Sequence, residues 1–151
     1  MRLPGYIEEP LEEWCESFRF FDEVNVRFSE TDMFGHMNNV TPFIYFEEAR
    51  IAYLKQLGIE MDGRHTGAIV VVASQQCDYF RQIMLHETLK IGVKTASVGT
   101  TSVMLHYLAK NEEGIPCFTG NTVIVKIAKD KGTPASWTDE EKQKLSSLDI
   151  S

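Results

Sequence analysis

The sequence has few of the residues that mark metal, redox and nucleotide sites. Its three cysteines, Cys15, Cys77 and Cys117, are far apart and form no C-x-x-C pair, so neither a zinc site nor a redox motif is indicated. No two of its four histidines lie three or four positions apart, and we predict no metal site. The patterns G-x-x-x-x-G-K-S/T, G-x-G-x-x-G and G-x-S-x-G are all absent. Their absence argues against the common nucleotide-binding loops and against a serine α/β-hydrolase.

The chain also lacks a positive net charge and a long apolar run. It carries 15 Lys and Arg against 22 Asp and Glu, a formal charge of −7 with a pI of about 5.1. This balance attracts no polyanion, so no nucleic-acid partner is expected. No apolar run approaches the roughly 20 residues that cross a bilayer, and the start MRLPGYIEEPLEEW lacks the basic and apolar regions of a signal peptide. We therefore predict a cytoplasmic protein with reduced cysteines and no membrane span.

Length and periodicity predict a single domain spanning residues 1–151. Hydrophobic residues make up 43% of the chain, and no repeat or low-complexity linker divides it. Near the start, an apolar stripe at helical spacing predicts a short helix opened by Pro10. The members of that stripe are Leu11, Trp14, Cys15 and Phe18. Residues 21–28 alternate as a strand does. One face of this strand is predicted to carry Val24, Val26 and Phe28.

A long helix without an internal breaker is predicted over residues 43–57. Its apolar positions are Ile44, Ala49, Ile51, Ala52, Leu54 and Leu57. Gly58 supplies a C-terminal stop, and Pro42 fits the first turn. The residues able to cap its start are Asn38, Asn39 and Thr41.

Four β-rich runs follow the helix, at residues 68–81, 88–98, 102–109 and 117–127. Turn sequences at Gly99-Thr100 and at residues 111–114 are typical of antiparallel hairpins, and Thr138-Asp139-Glu140-Glu141 is a capping box that opens a short exposed helix. This element order predicts an α+β fold in which a curved antiparallel sheet wraps around one long helix. The core would span about residues 21–129, with short helical extensions at both ends. Since one helix covers only part of the sheet, a homodimer or homotetramer is expected.

Polar residues cluster in SETDMFGHMNNVTPFIYFEEAR, residues 29–50, immediately before the long helix. The pattern Asp32-x-x-x-His36-x-Asn38-Asn39, followed by Tyr45 and E-E-A-R, resembles the signature of hotdog-fold acyl-CoA thioesterases of the 4-hydroxybenzoyl-CoA thioesterase type. It is most similar to the D-x-x-x-H-x-N-N subgroup, which hydrolyses acyl-CoA esters, and less to the aromatic-substrate enzymes. The resemblance covers about residues 21–129. It implies a hotdog fold, an aliphatic acyl-CoA substrate and no cofactor beyond the coenzyme A of that substrate.

Thioester hydrolysis needs a base or nucleophile and donors for the oxyanion. Asp32 can fill the first role, and the resemblance implies that it is the catalytic carboxylate, acting as a base or through a mixed anhydride. Unpaired N–H groups at the helix start, from Asn38 to Val40, can fill the second. Taken alone, Asp32 also suits a turn. His36 orients the loop, contacts the carboxylate or thioester, or caps the helix. Asn38 and Asn39 are expected to act through backbone and capping geometry, with a direct contact to the substrate as the alternative.

Further residues are assigned to the substrate, each with a structural alternative. Tyr45 can line an acyl tunnel with neighbouring aromatic residues, or belong to the core. Glu48 is a second candidate carboxylate, or pairs with Arg27 or Arg50.

Arg81 and Thr101 resemble positions near the pantetheine and phosphates of coenzyme A in the family. The alternative for them is a surface arginine and a turn. In the family such sites are commonly shared between subunits.

Two other functions stay open at this point. A hotdog dehydratase or hydratase shares the fold, but its D-x-N-x-x-H pattern is absent because position 34 is Phe and position 37 is Met. A non-catalytic acyl-CoA-binding module would keep the fold without hydrolysing the ester.

Overall fold

The computed structural model describes residues 2–147, and its frame is a five-stranded antiparallel sheet. The strands are β1 (Phe20–Asn25), β2 (Ala68–Tyr79), β3 (Thr88–Val98), β4 (Ser102–Lys110) and β5 (Pro116–Ala128). They lie in the order β1-β3-β4-β5-β2, so that β1 and β2 form the two edges. The helices are α1 (Leu11–Glu16), α2 (Thr41–Leu57) and α3 (Asp139–Leu145). The predicted α+β class and element order are confirmed.

The four predicted β-rich runs correspond to β2, β3, β4 and β5, and their predicted limits agree with the observed ones to within about two residues. The Gly99 N–H donates to the Ser102 carbonyl at 2.8 Å and closes the β3–β4 hairpin. The Asn111 N–H donates to the Ile115 carbonyl at 3.1 Å and closes the β4–β5 hairpin. Both predicted turns are therefore confirmed.

The first strand is shorter than predicted. Its pairing with β3 stops where Asn25 faces Thr88, the first residue of β3. Phe28 lies beyond that point, begins a short 3-10 turn and is 80% exposed. The prediction that Phe28 shares a strand face with Val24 and Val26 is wrong, because no partner strand continues past Asn25.

The start of α2 also differs from the prediction. The helix begins at Thr41, and its N-cap position is Val40, which has no capping side chain. The Asn38 side chain instead accepts from the Val40 N–H at 3.0 Å, one position before the helix. The proline in the first turn and the stop at Gly58, whose φ is +80°, are confirmed. No helix among residues 2–147 has the length and apolar character needed to span a membrane.

The face of α2 that packs on the sheet is mainly aromatic. Its buried residues include Tyr45, Phe46, Ala49, Tyr53 and Leu54. Ile44 and Ile51, predicted as core positions, are 49% and 47% exposed. The Phe46 ring decides the orientation, because it stacks on Tyr107 with 4.2 Å between centroids and fills the space that Gly120 leaves open. Tyr45, Phe46 and Tyr53 belong to the hydrophobic core cluster.

The N-terminal segment, residues 2–19, packs on part of the opposite face of the sheet. Trp14 and Phe18 of the predicted stripe are buried there with Ile7 and Leu108. The short helix therefore docks on the sheet.

The capping box at the start of α3 is confirmed. Thr138 accepts from the Glu141 N–H at 3.1 Å, and Glu141 accepts from the Thr138 N–H at 2.9 Å. Glu141 also pairs with the buried Lys126 at 2.6 Å, and Leu145 is fully buried, so this helix is anchored to the sheet. It is less exposed than predicted.

Candidate functional site

The loop between the 3-10 turn and α2 is organised around Asp32. One carboxylate oxygen, Oδ1, accepts from the Phe34 N–H at 2.8 Å and from the His36 N–H at 3.2 Å. The Asp32 N–H donates to the His36 carbonyl at 2.8 Å, and Gly35 supplies the positive φ of +79° that the turn requires. The other oxygen, Oδ2, has no donor among the described residues. Asp32 thus makes the turn predicted for it and still presents a free, exposed oxygen.

The far side of this loop is attached to the segment that follows β2. The Met37 N–H donates to the Ile83 carbonyl at 2.6 Å, and His36 forms a β-bridge with Met84. The Tyr79 hydroxyl at the end of β2 donates to the Asn39 carbonyl. The loop therefore lies across the end of β2, although the two are far apart in the sequence.

A cavity of about 380 Å³ opens where these segments meet. Four of the predicted site residues line it together: Asp32, His36, Asn39 and Arg81. Its volume is within the range of small-ligand pockets. The structure thus brings the predicted catalytic residues and one predicted coenzyme A residue to one place.

The amides at the start of α2 are not equally available. The Asn38 N–H donates to the Glu30 carbonyl at 2.7 Å, and the Val40 N–H donates to the Asn38 side chain at 3.0 Å. The Asn39 N–H has no acceptor among the described residues. Of the three amides predicted as oxyanion donors, only that of Asn39 is both unbonded in residues 2–147 and part of a cavity-lining residue.

Two predicted substrate residues on α2 lie away from this cavity. Tyr45 is 2% exposed, and its hydroxyl donates to Glu30 Oε1 at 2.7 Å. Burial and the bond to Glu30 both raise the pKa of Tyr45. Glu48 is exposed, and neither alternative ion pair forms: Arg27 pairs with Glu30 at 3.0 Å, and Arg50 donates to the Tyr107 hydroxyl at 3.1 Å.

The remaining predicted residues divide between the two ends of the sheet. Asn38 and Val40 flank Asn39, and Val40 is 58% exposed. Thr101 lies in the β3–β4 turn, where its carbonyl accepts from the Lys126 N–H at 2.9 Å. Arg81 lies beyond the other end of β2, so a single chain does not bring it together with Thr101.

Sequence reasoning missed several residues that line the cavity. They are Met37, Tyr79, Phe80, Gln82 and Ile83. The run D-Y-F-R-Q-I at the end of β2 suggests a role only for its arginine. No local pattern signals that this run faces the loop, because the contact joins distant parts of the chain.

Cysteine and metal chemistry have no arrangement to support them in the described part of the chain. The three cysteines are free, and burial raises the pKa of Cys77 to about 12, which keeps its thiol protonated. Within residues 2–147, no three His, Cys, Asp or Glu side chains are grouped so that they can hold a metal ion.

A model of the thioesterase-like superfamily matches residues 26–145. The chain belongs to the thioesterase-like superfamily. The match includes the Asp32 loop, α2 and strands β2 to β5, and it leaves out α1.

Relatives of this thioesterase-like chain agree in sequence and fold. An uncharacterized protein of Bacillus subtilis, YsmA, is 60% identical over 145 residues, which is 96% of this chain and 97% of that one. A thioesterase from Thermus thermophilus, solved with coenzyme A and zinc, is 30% identical with a TM-score of 0.76 over 88% of this chain and 96% of that chain. The DHNA-CoA thioesterase from Staphylococcus aureus is 26% identical with a TM-score of 0.71, over 77% of this chain and 78% of that chain. The predicted hotdog fold is confirmed.

Proposed function

We propose that this protein is an acyl-CoA thioesterase that hydrolyses an aliphatic acyl-CoA to the free acid and coenzyme A. The observation that carries the proposal is the shared cavity of Asp32, His36, Asn39 and Arg81 at the start of α2. Membership of the thioesterase-like superfamily supports a thioester substrate. The Thermus thermophilus thioesterase solved with coenzyme A supports a coenzyme A ester.

In this proposal the thioester carbonyl lies between Asp32 and the start of α2. The Asn39 N–H donates to the oxygen of the carbonyl, and the partial positive charge of the helix end stabilises the developing oxyanion. In one route, water attacks the carbonyl carbon while Asp32 Oδ2 takes a proton from that water. In the other route, Asp32 Oδ2 attacks the carbonyl carbon itself and forms a mixed anhydride, which water then cleaves. The C–S bond breaks in either route, and coenzyme A leaves as a thiolate that is then protonated. The His36 ring lines the same cavity and is available to the carboxylate or the leaving sulfur.

The coenzyme A moiety is proposed to extend toward Arg81, whose guanidinium suits phosphate oxygens. Arg81 is exposed at the mouth of the cavity. Thr101 could then contact coenzyme A only through a second subunit, since it lies at the opposite end of the sheet.

A second copy of the chain is proposed to complete the site. Large apolar side chains are exposed on the Asp32 loop, at the start and along α2, and on β2: Met33, Phe34, Val40, Ile44, Ile51, Val72 and Tyr79. β2 is an edge strand, and its residues 71–76 are all exposed. An unpaired edge beside an apolar patch is typical of an oligomer interface. We expect a homodimer or homotetramer, and a solution mass equal to the 17.2 kDa monomer would contradict this.

Thiol release from short, medium and long acyl-CoA esters and one aromatic ester tests the function. The aromatic ester is included because the Staphylococcus aureus relative is named for DHNA-CoA. Asp32→Asn keeps an oxygen for the Phe34 and His36 amides but removes the basic and nucleophilic carboxylate, so turnover should fall about 100-fold or more with the fold intact.

A matched control for this variant is Asp62→Asn. Asp62 also accepts a backbone N–H two residues on, that of Arg64 at 3.2 Å, but it lies outside the cavity. Turnover of this variant should stay at the wild-type level. Near-wild-type turnover of Asp32→Asn would show that Asp32 is not the catalytic group. Binding of acyl-CoA without release of thiol by the wild type would instead favour the binding module.

A further inference from the structure

Glu30 is a buried carboxylate two residues before Asp32, outside the cavity, and hydrolysis as described does not use it. It is 6% exposed. Its Oε1 accepts from the Arg27 N–H at 2.9 Å and from the Tyr45 hydroxyl at 2.7 Å, and its Oε2 accepts from Arg27 Nη2 at 3.0 Å. Burial alone would raise the pKa of Glu30, but the bonds from Arg27 and Tyr45 outweigh it and lower that pKa. Glu30 is therefore an ionised acceptor at neutral pH.

The backbone of Glu30 is bonded to the other end of the same loop. Its carbonyl accepts from the Asn38 N–H at 2.7 Å and from the Thr41 hydroxyl at 3.3 Å. Its side chain meanwhile holds Tyr45, one turn further along α2. One residue thus joins the beginning of the loop, its end and the helix.

The groups between these anchor points are the ones that must be aligned for hydrolysis. Asp32 lies at one side of the loop and the free Asn39 N–H at the other. The Asn38 N–H is bonded to Glu30 and the Val40 N–H to the Asn38 side chain, so of these three amides only that of Asn39 has no acceptor among residues 2–147. A displacement of about 1 Å between reacting groups can cost about 100-fold in rate.

Resting on the proposed function, we propose that Glu30 is a positioning residue: its carboxylate holds the Asp32 loop against α2 and sets the distance between the Asp32 carboxylate and the Asn39 N–H. Glu30 does not touch the substrate. Its effect is exerted through Tyr45 and through the loop backbone. Loss of the carboxylate should therefore lower kcat more than it raises KM.

The variant that tests this is Glu30→Ala, which removes all three side-chain bonds. We expect kcat to fall about 10- to 100-fold with KM for acyl-CoA changed by less than about threefold. Glu30→Gln keeps an oxygen at the same reach for Tyr45 and the Arg27 N–H. It should restore kcat to within about fivefold of wild type, because it removes only the bond to an exposed Arg27 side chain.

The matched control is Glu141→Ala at the start of α3. Glu141 is likewise a largely buried carboxylate that accepts from a cation, Lys126, and from a backbone N–H, that of Thr138. Its removal leaves the buried Lys126 unpaired, so it should lower the melting temperature at least as much as Glu30→Ala does. It should nevertheless leave kcat within about twofold of wild type, since the two sites are independent. A purely structural role for Glu30 predicts the same result for both variants.

Hydrogen–deuterium exchange provides a readout that needs no substrate. Glu30→Ala should accelerate exchange in residues 31–40, whereas Glu141→Ala should not. If Glu30→Ala proves too unstable, Tyr45→Phe removes only the hydroxyl donor to Glu30 and should also accelerate exchange in residues 31–40, with a smaller loss of kcat.

The outcomes separate this inference from the proposed function. If the wild type cleaves no ester, the thioesterase proposal fails, and the exchange rates still decide whether Glu30 orders the loop. If the wild type is active but Glu30→Ala and Glu141→Ala have equal kcat, or equal exchange in residues 31–40, the positioning role is overturned. A Glu30→Gln variant as impaired as Glu30→Ala would also overturn it.

Discussion

The two faces of the sheet are covered in different ways. The inner face is packed by α2, with Phe46 stacked on Tyr107 and pressed against Gly120. The outer face is packed by the N-terminal segment, and here a polar group is buried with the apolar ones. Trp14 packs edge to face against Phe18 with 4.8 Å between centroids and donates its indole N–H to His106 Nδ1 at 3.1 Å.

This difference indicates which of the two layers, α2 or the N-terminal segment, adjoins the candidate site. α2 lies inside the superfamily match, and its first residues adjoin the cavity. α1 lies outside that match, yet the Bacillus subtilis relative aligns over 96% of this chain. The inner layer thus supports the proposed chemistry, while the outer layer is a cover that contributes no residue to the cavity.

The largest effect is expected from adding a methyl group to the inner face. In Gly120→Ala the new Cβ would lie 2.4 Å from the Phe46 ring and 3.0 Å from the Gln76 carbonyl. The Phe46 ring cannot retreat because it is fully buried against Tyr107, so we expect a loss of about 3 kcal/mol or more in the free energy of unfolding.

Gly92→Ala is the corresponding change on the outer face. Its Cβ would meet the rings of Phe21 and Phe18 at 2.8 and 3.0 Å. Phe21 is only partly buried on the edge strand β1, so its ring can move toward solvent, and the loss measured by urea unfolding should be smaller. Equal losses of unfolding free energy in Gly120→Ala and Gly92→Ala would contradict a rigid inner layer and an adjustable outer layer.

A pH-dependent loss of stability is expected next from the outer face. Burial, and then the positive charge of Lys94, lowers the pKa of His106 from 6.5 to about 4, although Glu9 partly opposes this. Below pH 6.5 the unfolded chain binds a proton that the folded chain does not. Stability should therefore be complete above pH 6.5 and fall by about 2 to 3 kcal/mol as the pH drops to 4.

Urea unfolding at pH 7 and at pH 4.5 measures this loss. Other groups also titrate in the interval, so the wild type is compared with His106→Gln, which cannot bind the proton. The variant should lose less stability than the wild type on acidification. Parallel losses in the two proteins would contradict a buried neutral His106.

The smallest effect is expected from Trp14→Phe. The substitution removes the indole N–H that His106 accepts and keeps an aromatic ring in the outer layer. Loss of one buried hydrogen bond and of part of a fully buried ring should lower the free energy of unfolding by about 2 kcal/mol. Thiol release per folded protein should stay unchanged, since the cavity lies elsewhere; a drop in kcat would show that the two layers are coupled.

Most of the secondary structure could be predicted because its signals are local. The β-rich composition of four runs, the hairpin turns, Gly58 and the capping box at Thr138 each act within a few residues, and all four were confirmed. The face of α2 could not be predicted in this way. The helix is apolar on more than one side, and the choice between Ile44 and Phe46 as the buried residue depends on the gap at Gly120, on a strand far away in the sequence.

Some residues of the candidate site could likewise be predicted from local sequence, and others could not. Asp32, His36 and Asn39 lie within eight positions, so their proximity is a property of one loop and could be predicted from the motif. Tyr79 and Glu30 were missed because nothing in their immediate sequence distinguishes them from an ordinary strand end or a surface glutamate. Their importance comes from contacts with Asn39 and Tyr45, which form only when the chain folds.

The sequence by itself determined the element order, the turns and the chemical composition of the loop, because these depend on backbone preferences and short-range hydrogen bonds. Only the tertiary structure decided which helix face is buried, which amide before α2 is left without an acceptor among residues 2–147, and that Arg81 but not Thr101 joins Asp32. The reason is physical. Which side chains are buried and which donors and acceptors pair depends on contacts between parts of the chain that are far apart in the sequence. A short stretch of sequence therefore does not predict them.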